Sequence, residues 1–261
     1  MPRLLIAIDA DEIVSANILT NPEWETAMRQ PPGTVLGFAK VELYGSTDEY
    51  FLNSVEDKNS WIPFGYIDDG APHEGSVIHT TRIPARVDAP RFNLNKVVVL
   101  HLTRFNPLRA ESKDRWYRCF ERTSFPEKNL LTIHRMYDFF ERLKGKFKIR
   151  NTMADWFSEY ERAGIDFNIS DSESTFWWDW EILRLFKKHG TTPFRYLDIW
   201  TVDWEALRLQ GLSQGIQGLP EEPIEVPLGR RDRVIRATLR FPHARGLVNR
   251  IMWRLFRYGI I

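Results

Sequence analysis

Leu4-Leu5-Ile6-Ala7-Ile8-Asp9-Ala10-Asp11-Glu12 decides the fold class, because an apolar run ends there in three carboxylates within four residues. A run of this length bounded by polar residues reads as a buried strand, and in open α/β sheets ligands bind beyond the carboxyl ends of strands. Asp9 and Asp11 are therefore expected at a ligand crevice. Carboxylates this close repel one another unless a cation lies between them. A hard divalent ion, Mn²⁺ or Mg²⁺, would serve and would take phosphate oxygens on its other face. The plain alternative is an Asp-x-Asp that occurs by chance in a surface loop.

Working outward, Asn21-Pro22 reads as a cap and first residue of a helix to about Gln30, stopped by Pro31-Pro32-Gly33. Residues 34–43 read as a strand, followed by a polar loop. Residues 61–66 and 76–79 read as short extended pieces flanking Asp68-Asp69-Gly70, and the run KVVVLHL at 96–102 as a buried strand. Beyond Pro107 the periodicity becomes helical over about 108–122, 127–144, 152–163, 174–189 with Gly190 as cap, and 203–210. Residues 211–229 carry Pro220, Pro223 and Pro227 and read as irregular. The expected organisation is an α/β core over 1–105, a mainly helical region packed on it over 106–211, a linker over 212–229 and a basic tail over 230–261.

Composition narrows the partners. The 10 Trp and 17 Phe suit either a large core or a sugar-facing cleft, since aromatic rings stack on apolar sugar faces as well as on one another. The single Cys119 excludes an internal disulfide. With neither a cleavable leader nor an apolar run of about 18 residues, the expected location is the cytoplasm. The net charge of +1 conceals an asymmetry: residues 229–261 hold nine Arg against Asp232, so everything before them is acidic. Within that tail Leu247, Val248, Ile251, Met252, Leu255 and Phe256 recur at helical spacing, with Arg250, Arg254 and Arg257 outside the stripe. Such a helix either docks on the core or lies on an anionic membrane surface, which would make the protein peripheral at the inner face of the membrane. Nucleic acid is not an expected partner.

Two further constellations could carry chemistry. The stretch FGYIDDGAPHEGSVIH contains Asp68, Asp69, His73, Glu74 and His79. Paired acids in a Gly-flanked loop suit general-base work, since mutual repulsion raises one pKa; a solvated turn is the alternative. The other is His101 in the 96–102 strand, followed by Arg104, Lys113, Arg115, Trp116 and Tyr117. Taken alone, a histidine there is more often a satisfied core residue than a ligand.

The strand-borne D-A-D-E, then E-W-E-T with P-P-G-T, I-H-T-T-R-I-P, and L-H followed by K-D-R-W-Y together resemble bacterial family 2 glycosyltransferases of the GT-A fold. The resemblance covers residues 4–137. It implies a partial GT-A, Rossmann-like core followed by a mainly helical region. It also implies metal-dependent transfer of a sugar from a nucleotide-sugar donor to a saccharide or lipid-linked acceptor. Asp9 and Asp11 would bind the Mn²⁺ or Mg²⁺ and the donor diphosphate, with His101 as a further metal ligand ahead of His79. Asp69 or Asp68 would be the base, Asp69 preferred because Gly70 gives its loop room. Arg82, Arg104 and Lys113 would steady the diphosphate. The family's nucleotide-binding half, which normally precedes Asp-x-Asp, is missing, so poor nucleotide affinity is expected and a formerly central strand should become an edge with unpaired backbone groups. Two other readings stand beside this one. A non-catalytic remnant could act as an interaction protein, or a haloacid dehalogenase-type phosphohydrolase could use Asp9 as nucleophile and Asp11 as acid/base. Ile13 and the short distance from Asp9 to Asp68 count against the latter.

Overall fold

The computed structural model describes residues 3–51, 61–73, 82–84, 86, 88–137, 149–167, 175–227 and 229. The chain divides into two compact units, Met1–Pro107 with Lys146–Asp171, and Leu108–Gly145 with Ser172–Ile261. Glu74, His79, the 76–79 piece and the basic tail over 230–261 lie outside the described residues.

The first unit is built on a seven-stranded sheet: β1 (Leu4–Ile6), β2 (Glu12–Val14), β3 (Val35–Tyr44), β4 (Ser46–Phe51), β5 (Trp61–Ile67), β6 (Arg91–His101) and β7 (Ile149–Asn151). One path runs β1-β5-β3-β4-β7, while β6 lines the other edge of β3 and β2 pairs with β6. Every pair is antiparallel except β3 with β6. The class is therefore mixed α/β. The expected surroundings of β1 are corrected: it is a half-exposed strand that among the described residues pairs only with β5, antiparallel, and Ile6 is 37% exposed.

Alternation in β3 allocates the two faces. Leu36 and Phe38 pack with Ala27, Phe64, Leu94, Val97 and Val99, whereas Ala39, Val41 and Leu43 pack with Tyr50, Val98, Leu100, Phe105 and Trp156. The β3–β6 register shifts between Phe38 and Ala39, passing from Phe38 opposite Leu94 to Ala39 opposite Val98. The residues skipped there do not leave their backbone bare. Glu23 in α1 (Pro22–Met28) accepts from the Asn95 and Lys96 N–H groups, Asn17 donates to the Lys96 carbonyl, and Ser15 exchanges bonds with Val98. The predicted cap of α1 is present, Asn21 accepting from Glu23 N–H. Gly33 ends that segment at φ 86°, a conformation that costs other residues more.

The polar stretch after β3 contains a strand, β4, and residues 149–151 form β7 against it. Both are polar or exposed on one side, so neither shows the apolar alternation that marks a strand in sequence. The short helix Ser158–Arg162 returns to this unit, its Tyr160 hydroxyl donating to the Val14 carbonyl at 2.5 Å.

The second unit is helical. Besides α1, and with Ser158–Arg162 as α4, the helices are α2 (Pro107–Ser124), α3 (Leu130–Tyr137), α5 (Trp177–His189) and α6 (Trp204–Ser213). Cys119, Ile133, Ile182, Leu183, Phe186, Phe194, Leu197 and Trp204 form its core. Gly190 caps α5 at φ 71°. The irregular segment after α6 is docked: Leu219 is buried in this core and Arg208 donates to the Pro220 and Glu221 carbonyls. No helix among the described residues is long and apolar enough to cross a membrane.

Phe38 is fully buried between β5, β6 and α1, touching Phe64 edge-on with centroids 6.3 Å apart. Phe38→Ala should lower unfolding stability by about 3–5 kcal/mol, read from the urea midpoint at unchanged slope. A loss below about 1 kcal/mol would remove Phe38 from the core.

Candidate functional site

The site follows from register. Glu12 of β2 and Glu42 of β3 both stand opposite His101 of β6, so the three side chains form one row across three strands. Lys40 lies two residues before Glu42, hence on the same face. The face that is apolar at Phe38, Val97, Val99 and Val14 thus becomes charged toward the end of β6.

Two networks occupy that end. In the first, the Glu12 side chain is wholly inaccessible to solvent and is held by Arg82 Nη1 at 2.5 Å, Lys40 Nζ at 2.7 Å and the Asp9 N–H at 2.7 Å. Arg82 Nη2 also meets Asp9 Oδ2 at 2.5 Å. Burial raises the pKa of Glu12, but the bonds from Arg82, Asp9 N–H and Lys40 outweigh it and hold the carboxyl below its ordinary 4.5.

In the second network, His101 Nδ1 lies 2.6 Å from Glu42 Oε2, and Nε2 lies 2.6 Å from Thr103 Oγ1. The Thr103 hydroxyl donates to Asp11 Oδ2 at 2.6 Å, bridging the 3.6 Å between Asp11 and His101. With the Thr103 proton given to Asp11, a ring protonated on both nitrogens satisfies every one of these contacts, Nε2 donating to Thr103 and Nδ1 to Glu42. This arrangement favours the imidazolium. Burial disfavours that charge, yet the interactions with Asp11 and Glu42 prevail and raise His101 above its ordinary 6.5.

Several predicted site residues are brought together. Asp11 joins His101, and Asp9 joins Arg82. The supposed lack of a counter-charge for the acidic cluster is corrected: Arg82, Lys40 and the His101 imidazolium provide it. For Mn²⁺ or Mg²⁺ the donors fit in kind but not in arrangement. Asp9 is engaged by Arg82, both ring nitrogens of His101 have hydrogen-bond partners, and no three His, Cys, Asp or Glu side chains among the described residues form a metal-holding group.

Asp68 and Asp69 lie elsewhere. Strand β5 runs antiparallel to β1, so they follow its far end beside Arg3, while Asp9 follows the opposite end of β1. Asp68 pairs with Arg3 at 3.0 Å and accepts from Gly70 N–H. Asp69 accepts from Tyr66 Oη at 2.7 Å and Ala71 N–H at 3.0 Å, with Arg86 at 3.5 Å. These partners, Tyr66 first, lower the Asp69 pKa, opposite to the rise that mutual repulsion was expected to cause. Arg104 is half-buried, and its carbonyl accepts from Gly45 N–H. Lys113 belongs to the helical unit, where it and Arg109 lie over the Trp178 ring at 5.9 and 4.9 Å.

Lys40, Glu42 and Thr103 were missed as site residues. The first two were readable as polar residues at period two in an apolar strand; Thr103 gave no signal. Comparison of the chain with protein-family models, curated proteins and solved structures gave no match.

The two networks titrate in opposite senses. Glu12, lowered below 4.5, stabilises the fold above pH 4.5, and that contribution is lost as pH falls through its lowered pKa. His101, raised above 6.5, stabilises fully below pH 6.5 and loses this as pH rises through its raised pKa. Urea midpoints of His101→Gln should therefore vary less with alkaline pH than those of wild type. Glu12→Ala should cost about 2–4 kcal/mol, because Lys40 and Arg82 retain some contact with water after losing a buried partner. A His101 ring that titrates by NMR at or below 6.5 would contradict the imidazolium.

Proposed function

We propose that this chain is a glycosyltransferase of the family 2 type, with a partial GT-A, Rossmann-like core from the Asp-x-Asp segment onward. It would transfer a sugar from a nucleotide-sugar donor to a saccharide or lipid-linked acceptor. The observation that carries this reading is the approach of Asp11 to His101. The resemblance assigns these residues, from distant motifs, to one donor site, and they lie 3.6 Å apart with Asp9 and Arg82 in the adjoining network.

In such a transfer the bond from the sugar to the diphosphate breaks through an oxocarbenium-like transition state, so negative charge on the leaving phosphate must be stabilised. Arg82 retains 30% side-chain exposure and is placed to meet a phosphate with a charge-assisted bond. In the adjoining network Asp11 and Glu42 favour the charged form of His101. Asp69 remains the base candidate from the resemblance, and its lowered pKa makes it a weak one.

A second reading, the non-catalytic remnant, is favoured by the internal neutralisation of Asp9 and Glu12. Release of nucleoside diphosphate from a panel of nucleotide sugars, with acceptor saccharides and with Mn²⁺ or EDTA, separates the two and tests the implied metal dependence. Transfer predicts that Asp11→Asn slows release at least tenfold at a temperature where circular dichroism shows the variant folded. Equal rates in wild type and Asp11→Asn would overturn the reading, and no release from folded wild type would favour the remnant.

The tail sequence supports a peripheral association with anionic membrane. Co-sedimentation with anionic vesicles should fall with salt and with replacement of Arg250, Arg254 and Arg257 by Gln. Absence of sedimentation at low salt would leave the tail without that role.

A further inference from the structure

We propose that β1 joins β1 of a second copy in an antiparallel pair centred on Ile6, making the chain a twofold homodimer through a continuous sheet. The argument begins with parity. Asp68 N–H donates to the Arg3 carbonyl and Ala7 N–H to the Phe64 carbonyl, so Arg3, Leu5 and Ala7 turn their backbone groups toward β5. Leu4 and Ile6 turn theirs outward, and Ile8, next in the alternation after Ala7, would do so once paired. No described strand meets that edge.

The side chains of β1 are not those of a solvated edge. Leu5 and Ala7 pack with Val35, Tyr66 and Ile83 on one face, and Leu4 packs with the Leu36 and Phe38 cluster on the other. A strand apolar on both faces is typical of a sheet interior. Ile6 and Ile8 nevertheless remain 37% and 39% exposed, and the strand carries no charge or proline to deter pairing.

The run is complementary to itself. With Ile6 opposite Ile6 of the second copy, Leu4 stands opposite Ile8, and every outward N–H and carbonyl of these residues finds a partner. The same register sets Arg3 opposite Asp9 of the other copy. Arg3 already meets Asp68 and Asp9 already meets Arg82, but both remain mostly exposed, at 77% and 56%, and of opposite charge, so each end of the paired strands closes by extending an existing ion pair across to the other copy. An extended segment of another protein could supply backbone groups, but this charge match is specific to a second copy. The strand is short, so the dimer should be concentration-dependent rather than permanent.

Sedimentation velocity over a concentration series should show monomer passing to dimer, and Ile6→Lys should weaken association at least tenfold with unchanged thermal unfolding. Residues directly opposed in a hydrogen-bonded antiparallel pair have Cα atoms about 5.5 Å apart, within disulfide reach. Ile6→Cys should therefore form an oxidised dimer, whereas wild type, whose Cys119 is buried, should not. Ile8→Cys should not link to itself but should link to Leu4→Cys when the two are mixed. A monomer at every concentration, failure of Ile6→Cys to cross-link, or self-linking of Ile8→Cys equal to that of Ile6→Cys would each overturn the pairing. The cross-link decides the matter even where Ile6→Lys fails to fold.

Discussion

A carboxylate closed off from solvent has to be neutralised where it stands, and Glu12 imposes that condition on the first unit. Leaving such a group without partners costs several kcal/mol, more than a single good packing contact returns. The condition is met from three directions, by Lys40 on β3, by Arg82 and by the backbone of Asp9. These partners come from separate stretches of chain. The pairing of β2 with β6 puts Glu12 in place, and Lys40 reaches it because β3 runs parallel to β6 in matching register.

The part of β6 that precedes its pairing with β2 and the strand β1 manage their outward backbone groups differently. The edge of β6 is closed by side chains from the segment between Ser15 and Glu23, which satisfy residues skipped by the register shift as well as regular strand positions. Strand β1 has no comparable cover among the described residues. The contrast is chemical: residues 15–23 are rich in short polar side chains able to reach a neighbouring backbone, while the residues around β1 are aliphatic.

At the charged end of the sheet, neutrality and reactivity compete. Four carboxylates, of Asp9, Asp11, Glu12 and Glu42, face Lys40, Arg82 and the His101 imidazolium, leaving a small negative excess. A donor diphosphate would draw on these same cations, so binding it requires Arg82 to exchange a carboxylate for a phosphate. The hydroxyl of Thr103 matters here out of proportion to its size, since it bridges His101 Nε2 to Asp11 and fixes the carboxylate beside the ring.

Local sequence determined most of the elements. Asn21-Pro22 opened a helix, Gly190 ended one, and the β-branched run of 96–102 made a strand, because caps, glycine conformations and side-chain alternation act within a few residues. The acidic cluster also announced a need for a cation. What supplied it was not local: whether Asp9 meets a metal or Arg82, and whether Asp69 is raised or lowered in pKa, depends on residues brought together from distant stretches. Strands β4 and β7 are not legible in the sequence because neither carries an apolar alternation: β4 is held between the backbones of β3 and β7, and β7 by that of β4. Apolarity marked residues 4–8 as a strand, but only tertiary structure decided that it is an edge, since the position of a strand in a sheet is set by which other strands compete for its backbone groups.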